Sequence, residues 1–121
     1  MDCSPVKLAY LGDAVFELMV RRKNVVENGA GLNEINKMTV NYVRAGAQAQ
    51  IYHKIIPYLT EEEASIIKRG RNAKPNISSK NAAAVDYRHA TGLEALFGYL
   101  YLNNKTDRLN EVFELCVEDC R

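Results

Sequence analysis

The chain has 121 residues, 16 Lys and Arg against 15 Asp and Glu, a formal net charge of +1, and 47% hydrophobic residues. That length fits one domain with its own core. The near-neutral balance excludes a wholesale electrostatic attraction to nucleic acid, so any such affinity has to come from local patches. The opening residues carry no basic-apolar leader, and the apolar runs are too short and too charged to cross a bilayer. A cytoplasmic protein forming a single domain over residues 1–121, without membrane association, is expected. Cys3, Cys116 and Cys120 are odd in number and lack CxxC or metal-ligand spacing, which reads as reduced thiols.

Sustained period-2 alternation is missing, and Ala, Leu, Glu, Lys and Arg dominate, so the fold class is all-α. Ser4-Pro5 reads as an N-cap followed by proline at the first helical position, opening a helix to about Lys23. On its wheel Leu8, Leu11, Val15, Leu18 and Met19 line one face, and Ala9, Asp13 and Glu17 another. The linker "VVENGAG" follows, then helical patterns over residues 32 to 43 and 45 to 56, the second ending near Pro57. Thr60 with Glu63 three residues later is a capping box for a helix running to about Gly70. Residues 71 to 81, "RNAKPNISSKN", read as a loop. A long helix from about Ala83 to Asn103 and a last one, capped by Thr106-Asp107 and running to about Glu118, complete the chain. A last helix reaching residue 120 would put Cys116 and Cys120 one turn apart on one face.

Two places in this pattern do not serve helix stability. In "LAYLGDAVFELMV", Gly12-Asp13 interrupts an otherwise good buried helix. Glycine there costs roughly 1 kcal/mol relative to alanine, and aspartate competes for nearby backbone groups. In "TGLEALFGYLYL", Leu93, Leu96, Phe97 and Leu100 form an apolar face that Tyr99 and Leu102 extend, yet Glu94 sits within it. Its neighbours on the wheel are Ala90, Thr91, Gly98 and Tyr101, small enough in part to leave room for a metal ion, a water or a close-packed helix. Taken alone, Asp13 is a solvent-face residue beside Glu17 and Arg21, and Glu94 a half-exposed helix glutamate. If the two helices cross, the pair suits a hard cation such as Mg2+, which takes oxygen ligands and keeps several waters. A helix as apolar as residues 93 to 102 also needs more cover than five short helices offer, which points to a symmetric homodimer through that face.

Charge is unevenly distributed. Residues 64 to 85 hold Lys68, Arg69, Arg71, Lys74 and Lys80 and no acid, whereas the last sixteen residues hold five acids and two arginines. Cations with amides and serines suit phosphate contact, and the alternative is a solvated surface loop. P-loop, GxGxxG, HExxH and GxSxG patterns are missing. His53 and His89 are far apart in sequence and read as structural or surface residues.

These anomalies carry a family resemblance over nearly the whole chain. "LAYLGDAVFELMVRR" resembles the "LEFLGDAVL" helix of the ribonuclease III family, and "ATGLEALFGYLYL" resembles its second acidic helix. "KRGRNAK" with "YRHATGLEALFGYLYL" is similar to the short bacterial branch, the mini-ribonucleases III, which lack a double-stranded-RNA-binding domain. The resemblance implies a ribonuclease III endonuclease-domain-like helical bundle, a homodimer with a duplex across both subunits, and Mg2+-dependent hydrolysis leaving a 5′-phosphate and a short 3′ overhang. It implies that Asp13 is the catalytic aspartate and Glu94 the metal-binding glutamate, and for the short branch, maturation of the large-subunit (23S) ribosomal RNA precursor. Typical members carry two further acids, four residues before the aspartate and three before the glutamate. Here those positions hold Ala9 and Thr91, which leaves fewer protein ligands for metal. Two other classes remain open: a non-catalytic RNA-binding or ribosome-associated module, and a helical dimerisation scaffold with both acids on surface faces.

Overall fold

Ser4 caps the first helix as expected, accepting a hydrogen bond from the Lys7 backbone N–H at 3.2 Å, with Pro5 in the first turn. In the computed structural model, which describes residues 3–73 and 81–118, six α-helices follow one another. They are α1 (Pro5–Glu27), α2 (Leu32–Val43), α3 (Ala45–Ile55), α4 (Glu61–Arg71), α5 (Ala82–Leu102) and α6 (Thr106–Val117), with a 3-10 turn (Ile56–Tyr58) before α4. The all-α expectation holds, and no strand occurs among the described residues. The first helix runs one turn past the expected Lys23, so half of "VVENGAG" is helical. Arg44, extended at φ −66° and ψ 152°, both closes α2 and opens α3. The last helix stops at Val117, and Cys120, expected one turn beyond Cys116, lies outside the described residues.

The 21-residue α5 is the central element: α1, α3, α4 and α6 all pack on it. Leu93, Leu96, Phe97 and Leu100 are 0% exposed, and Phe97 meets Phe16 of α1 edge-on with centroids 5.0 Å apart. This corrects the argument from α5 to a dimer, because four neighbouring helices of the same chain cover the apolar face. Leu18, expected on the buried face of α1, is 67% exposed. Phe16 takes the inward place instead, since the buried arc of α1 centres on Gly12 and position 18 lies well outside it.

Gly12 and Gly98 let α1 and α5 touch backbone to backbone. A Cβ on Gly12 would lie 1.6 Å from the Glu94 carbonyl oxygen, and one on Gly98 1.9 Å from the Leu8 carbonyl oxygen. A second such contact joins α4 to α5. A Cβ on Gly92 would lie 2.6 Å from the Ile67 carbonyl oxygen, and one on Gly70 2.7 Å from the Ala95 methyl carbon.

At its other end α4 is fixed by the capping box, in which Thr60 and Glu63 exchange hydrogen bonds of 3.0 and 3.1 Å. Both Glu63 carboxylate oxygens also accept from Arg108 of α6 at 2.8 Å. Arg108 holds the Glu63 carboxyl below its ordinary value of 4.5, although burial opposes the shift.

This packing has two measurable consequences. Because the clashing atoms are backbone, Gly12→Ala or Gly98→Ala must push α1 off α5. The cost should be about 3 kcal/mol or more, at the upper end of overpacking. In thermal unfolding it should appear as a drop of roughly 10 °C or more in Tm. Arg108→Met strands a buried carboxylate, costing roughly 2–3 kcal/mol near neutral pH, the lower part of the buried-pair range because Arg108 is partly exposed. Since the folded-state value of Glu63 is depressed, its stabilisation is complete above pH 4.5 and disappears as pH falls further. Denaturant titrations should therefore show the wild-type and Arg108→Met curves converging below that pH.

Candidate active site

The α1–α5 contact decides where the two anomalous acids go. Gly12 precedes Asp13, and the carbonyl that fits against Gly12 belongs to Glu94. The two helices therefore meet at the residues that bear the acids. Gly12 is where the second acidic helix enters. Asp13 is exposed at the flank of α1, next to the solvent-facing pair Glu17 and Arg21. Glu94 is half-buried and turned toward α3, where its Oε2 accepts a hydrogen bond from Gln48 Nε2 at 3.3 Å. Gln48 itself is 2% exposed.

Among the described residues no group of three or more His, Cys, Asp or Glu side chains is placed to hold a metal. The two sequence-predicted carboxylates are one exposed and one half-buried, the second accepting a hydrogen bond from the Gln48 amide. Such a set suits a hard ion that retains several waters and completes its shell with substrate phosphate, and does not suit a softer ion needing a full protein cage. Ala9 and Thr91, which replace the family's further acids, are 6% and 3% exposed. Ala9 packs with Leu8, Ile66 and Ala95, and the Thr91 hydroxyl donates to the Tyr87 carbonyl at 2.9 Å.

The basic residues divide. Lys68 and Arg69 are exposed in the last turn of α4, where the negative end of the helix dipole favours cations. Arg71 is partly buried, with Nη1 donating to the Tyr52 hydroxyl at 3.4 Å and Nε to Asn72 Oδ1 at 3.2 Å. Lys74 and Lys80 lie outside the described residues. The Gly70–Gly92 contact brings the cationic end of α4 to the turn of α5 just before Glu94.

Sequence reading missed several partners here. His53 and His89 are not isolated from each other: their ring centroids are 4.6 Å apart, and Tyr52 lies 4.6 Å from His89. Burial, and then the neighbouring His53, lower the His89 pKa below its ordinary 6.5, so the ring packs as a neutral aromatic at neutral pH. Cys116 is 2% exposed, and burial pushes its thiol up to about 12, which makes it unreactive. Gln48 was missed because a glutamine in "AGAQAQ" has no signal beyond its place on the buried face of α3. The glycines of α5 did carry one, since each costs stability inside a helix unless something packs against it.

Comparison with known proteins agrees with this geometry. Residues 6–105 match the Ribonuclease III domain. Mini-ribonuclease 3 of Clostridium tetani is 45% identical over 115 residues, covering 94% of this chain and 76% of that one. Mini-ribonuclease 3 of Thermoanaerobacter is 45% identical over 118 residues, covering 98% and 83%. A crystal structure of a Fusobacterium nucleatum protein superposes with a TM-score of 0.82 at 34% identity, covering 96% of this chain and 93% of that one. A matched family domain spanning both acidic helices, and relatives named as ribonucleases that match nearly the whole of this chain, make it an endoribonuclease of the ribonuclease III family.

Proposed function

We propose that this endoribonuclease cuts double-stranded RNA in a Mg2+-dependent reaction, with Asp13 and Glu94 as the catalytic, metal-holding pair. The observation that carries the reading is the Gly12–Glu94 backbone contact, which joins the two acid-bearing helices where the acids stand. A hard divalent ion held there supplies charge neutralisation and an activated water for phosphodiester hydrolysis. Glu94, half-buried and fixed by an amide, serves as the rigid ligand, while the exposed Asp13 faces the side from which a phosphate arrives. Lys68 and Arg69 contact the duplex backbone next to the site, with Lys74 and Lys80 assigned to the same path. Arg71 contributes charge while its Tyr52 contact orders the end of α4. A-form RNA hides its bases in a deep, narrow major groove, so these contacts read shape more than sequence. For the natural substrate we propose the large-subunit (23S) ribosomal RNA precursor, in the cytoplasm. Its support is the likeness of "KRGRNAK" and "YRHATGLEALFGYLYL" to the short bacterial branch. No helix among the described residues is long and apolar enough to cross a membrane.

The same reading includes a symmetric homodimer, and its support lies on α1 in place of α5. Tyr10 and Leu18 are 85% and 67% exposed, and with Ala14 they form an i, i+4, i+8 row facing away from the core. An exposed apolar row of this kind marks an association surface, and a twofold axis would pair it with itself. Sedimentation at micromolar concentration should give a dimer for the wild type and a folded monomer for Leu18→Glu. A wild-type monomer at that concentration would rule the dimer out.

The catalytic assignment is tested by separating cutting from binding. Asp13→Asn should lower the cleavage rate at least about a hundredfold, the scale of losing one electrostatic catalytic group. Duplex affinity and Tm should stay near wild type. Lys68→Ala combined with Arg69→Ala should instead weaken duplex binding and flatten its salt dependence, by roughly one unit of slope for each phosphate the protein no longer neutralises. A folded Asp13→Asn protein that cuts at the wild-type rate would end the assignment, and unchanged salt dependence in the double variant would return those cations to solvated surface.

A further inference from the structure

Gln48 combines three features that core packing does not require. It is 2% exposed, its amide nitrogen reaches a carboxylate on another helix, and its oxygen Oε1 is buried without a hydrogen-bond partner among the described residues. Nε2 donates to the Val43 carbonyl at 2.8 Å and to Glu94 Oε2 at 3.3 Å. The reversed amide would point its oxygen at two acceptors, so the orientation is fixed by its partners. Val43 is the last residue of α2, immediately before the extended Arg44 that joins it to α3. The amide nitrogen therefore ties Glu94 to the break between α2 and α3, while the amide oxygen makes no such bond. A buried acceptor without a donor lowers stability, and an apolar side chain of the same length would avoid that cost.

We infer that Gln48 is a positioning residue for the site proposed above: its amide orients the Glu94 carboxylate for cation binding. The proposal rests on Glu94 being a metal ligand. The choice of side chain has a physical reason. A lysine or arginine here would also fix the carboxylate, but its charge would neutralise the ligand and repel the cation. An amide donates without charge. It reaches Oε2 from the protein side, and such supporting hydrogen bonds tune metal affinity.

The test uses the full chain, with Mn2+ as a spectroscopic probe in the absence of RNA and Mg2+ in cleavage assays. Gln48→Met keeps length and volume and removes the donor, so Tm should stay at or above wild type. Mn2+ affinity, read from the electron paramagnetic resonance of free ion, should fall roughly tenfold or more. The Mg2+ concentration for half-maximal cleavage should rise by a similar factor, with a smaller change in rate at saturating Mg2+. In a Glu94→Gln background, adding Gln48→Met should weaken Mn2+ binding no further, an outcome that a general packing role would not give. Wild-type Mn2+ affinity in Gln48→Met, or an equal additional loss in the Glu94→Gln background, would overturn the proposal. If Glu94→Gln itself binds Mn2+ as wild type does, Glu94 is no ligand and the inference falls with that reading. If Glu94→Gln is defective while Gln48→Met is normal, only the inference falls. Should Gln48→Met fail to fold, the wild type still decides. Its Gln48 side-chain amide NMR signals should shift on Mg2+ addition with the same midpoint as cleavage, and signals that do not move would overturn the proposal.

Discussion

The backbone contacts on α5 are the constraint from which the rest of the site follows. Helices with ordinary side chains pack with axes about 8–10 Å apart. At Gly12–Glu94 and Gly98–Leu8 there is no room for even a methyl group, and the same holds at Gly92–Ile67. Contacts of this kind leave little freedom in rotation or register, because a carbonyl oxygen fits only where a Cβ is missing. They also lie on both sides of Glu94 in sequence, at positions 92 and 98, and one of them involves Glu94 itself. The glycines of α5 give up helix propensity, and the return is a position for the second acid set by covalent geometry instead of by adaptable side chains.

Charge is arranged around that frame with little dependence on the net value. The first turn of α4 carries Glu61, Glu62 and Glu63, and its last turn Lys68, Arg69 and Arg71, so both ends match the helix dipole. The acidic end is neutralised internally: Glu63 is paired with Arg108, and Glu62 accepts from the Tyr99 hydroxyl and from Lys105. Lys68 and Arg69 remain exposed, at the end of α4 that packs closest to Glu94. A chain of net charge +1 can in this way present a local cationic surface without being a polycation.

Much of the helix pattern was legible in the sequence because it is written in local signals. Ser4-Pro5 and the Thr60–Glu63 box each satisfy backbone groups within a few residues, and α1 and α4 begin at them. Thr106-Asp107, read as a cap, instead opens α6 from inside, the N-cap being Lys105 without a side-chain cap bond. The Asp13 and Glu94 anomalies were legible for the opposite reason, since each opposes the local preference. What stayed hidden depends on pairs distant in sequence. Gln48 and Glu94 are 46 positions apart, and Glu63 and Arg108 are 45. Leu18 misled because a wheel cannot tell a core-facing leucine from an exposed one. The apolar sides of α5 misled in the same way: their cover comes from α1, α3, α4 and α6, whose positions follow from glycine contacts that hydrophobic patterning does not record.

Packing also accounts for the shortage of acids relative to the typical family pattern. Ala9 lies among Leu8, Ile66 and Ala95, and Ala95 is 0% exposed. A glutamate at position 9 would need both volume and solvation that this α1–α4–α5 junction does not have, and an unpaired buried carboxylate is costly. Thr91 is buried where α4 comes nearest to α5, and its hydroxyl is already bound to its own helix. The close approach of α4, which carries the basic end toward Glu94, thus occupies the space that further acids would need. Under the metal-binding role proposed for Asp13 and Glu94, fewer acids make the orientation of each one matter more. A neutral amide anchored on the α2–α3 break is one means of fixing a carboxylate without adding charge to a crowded site.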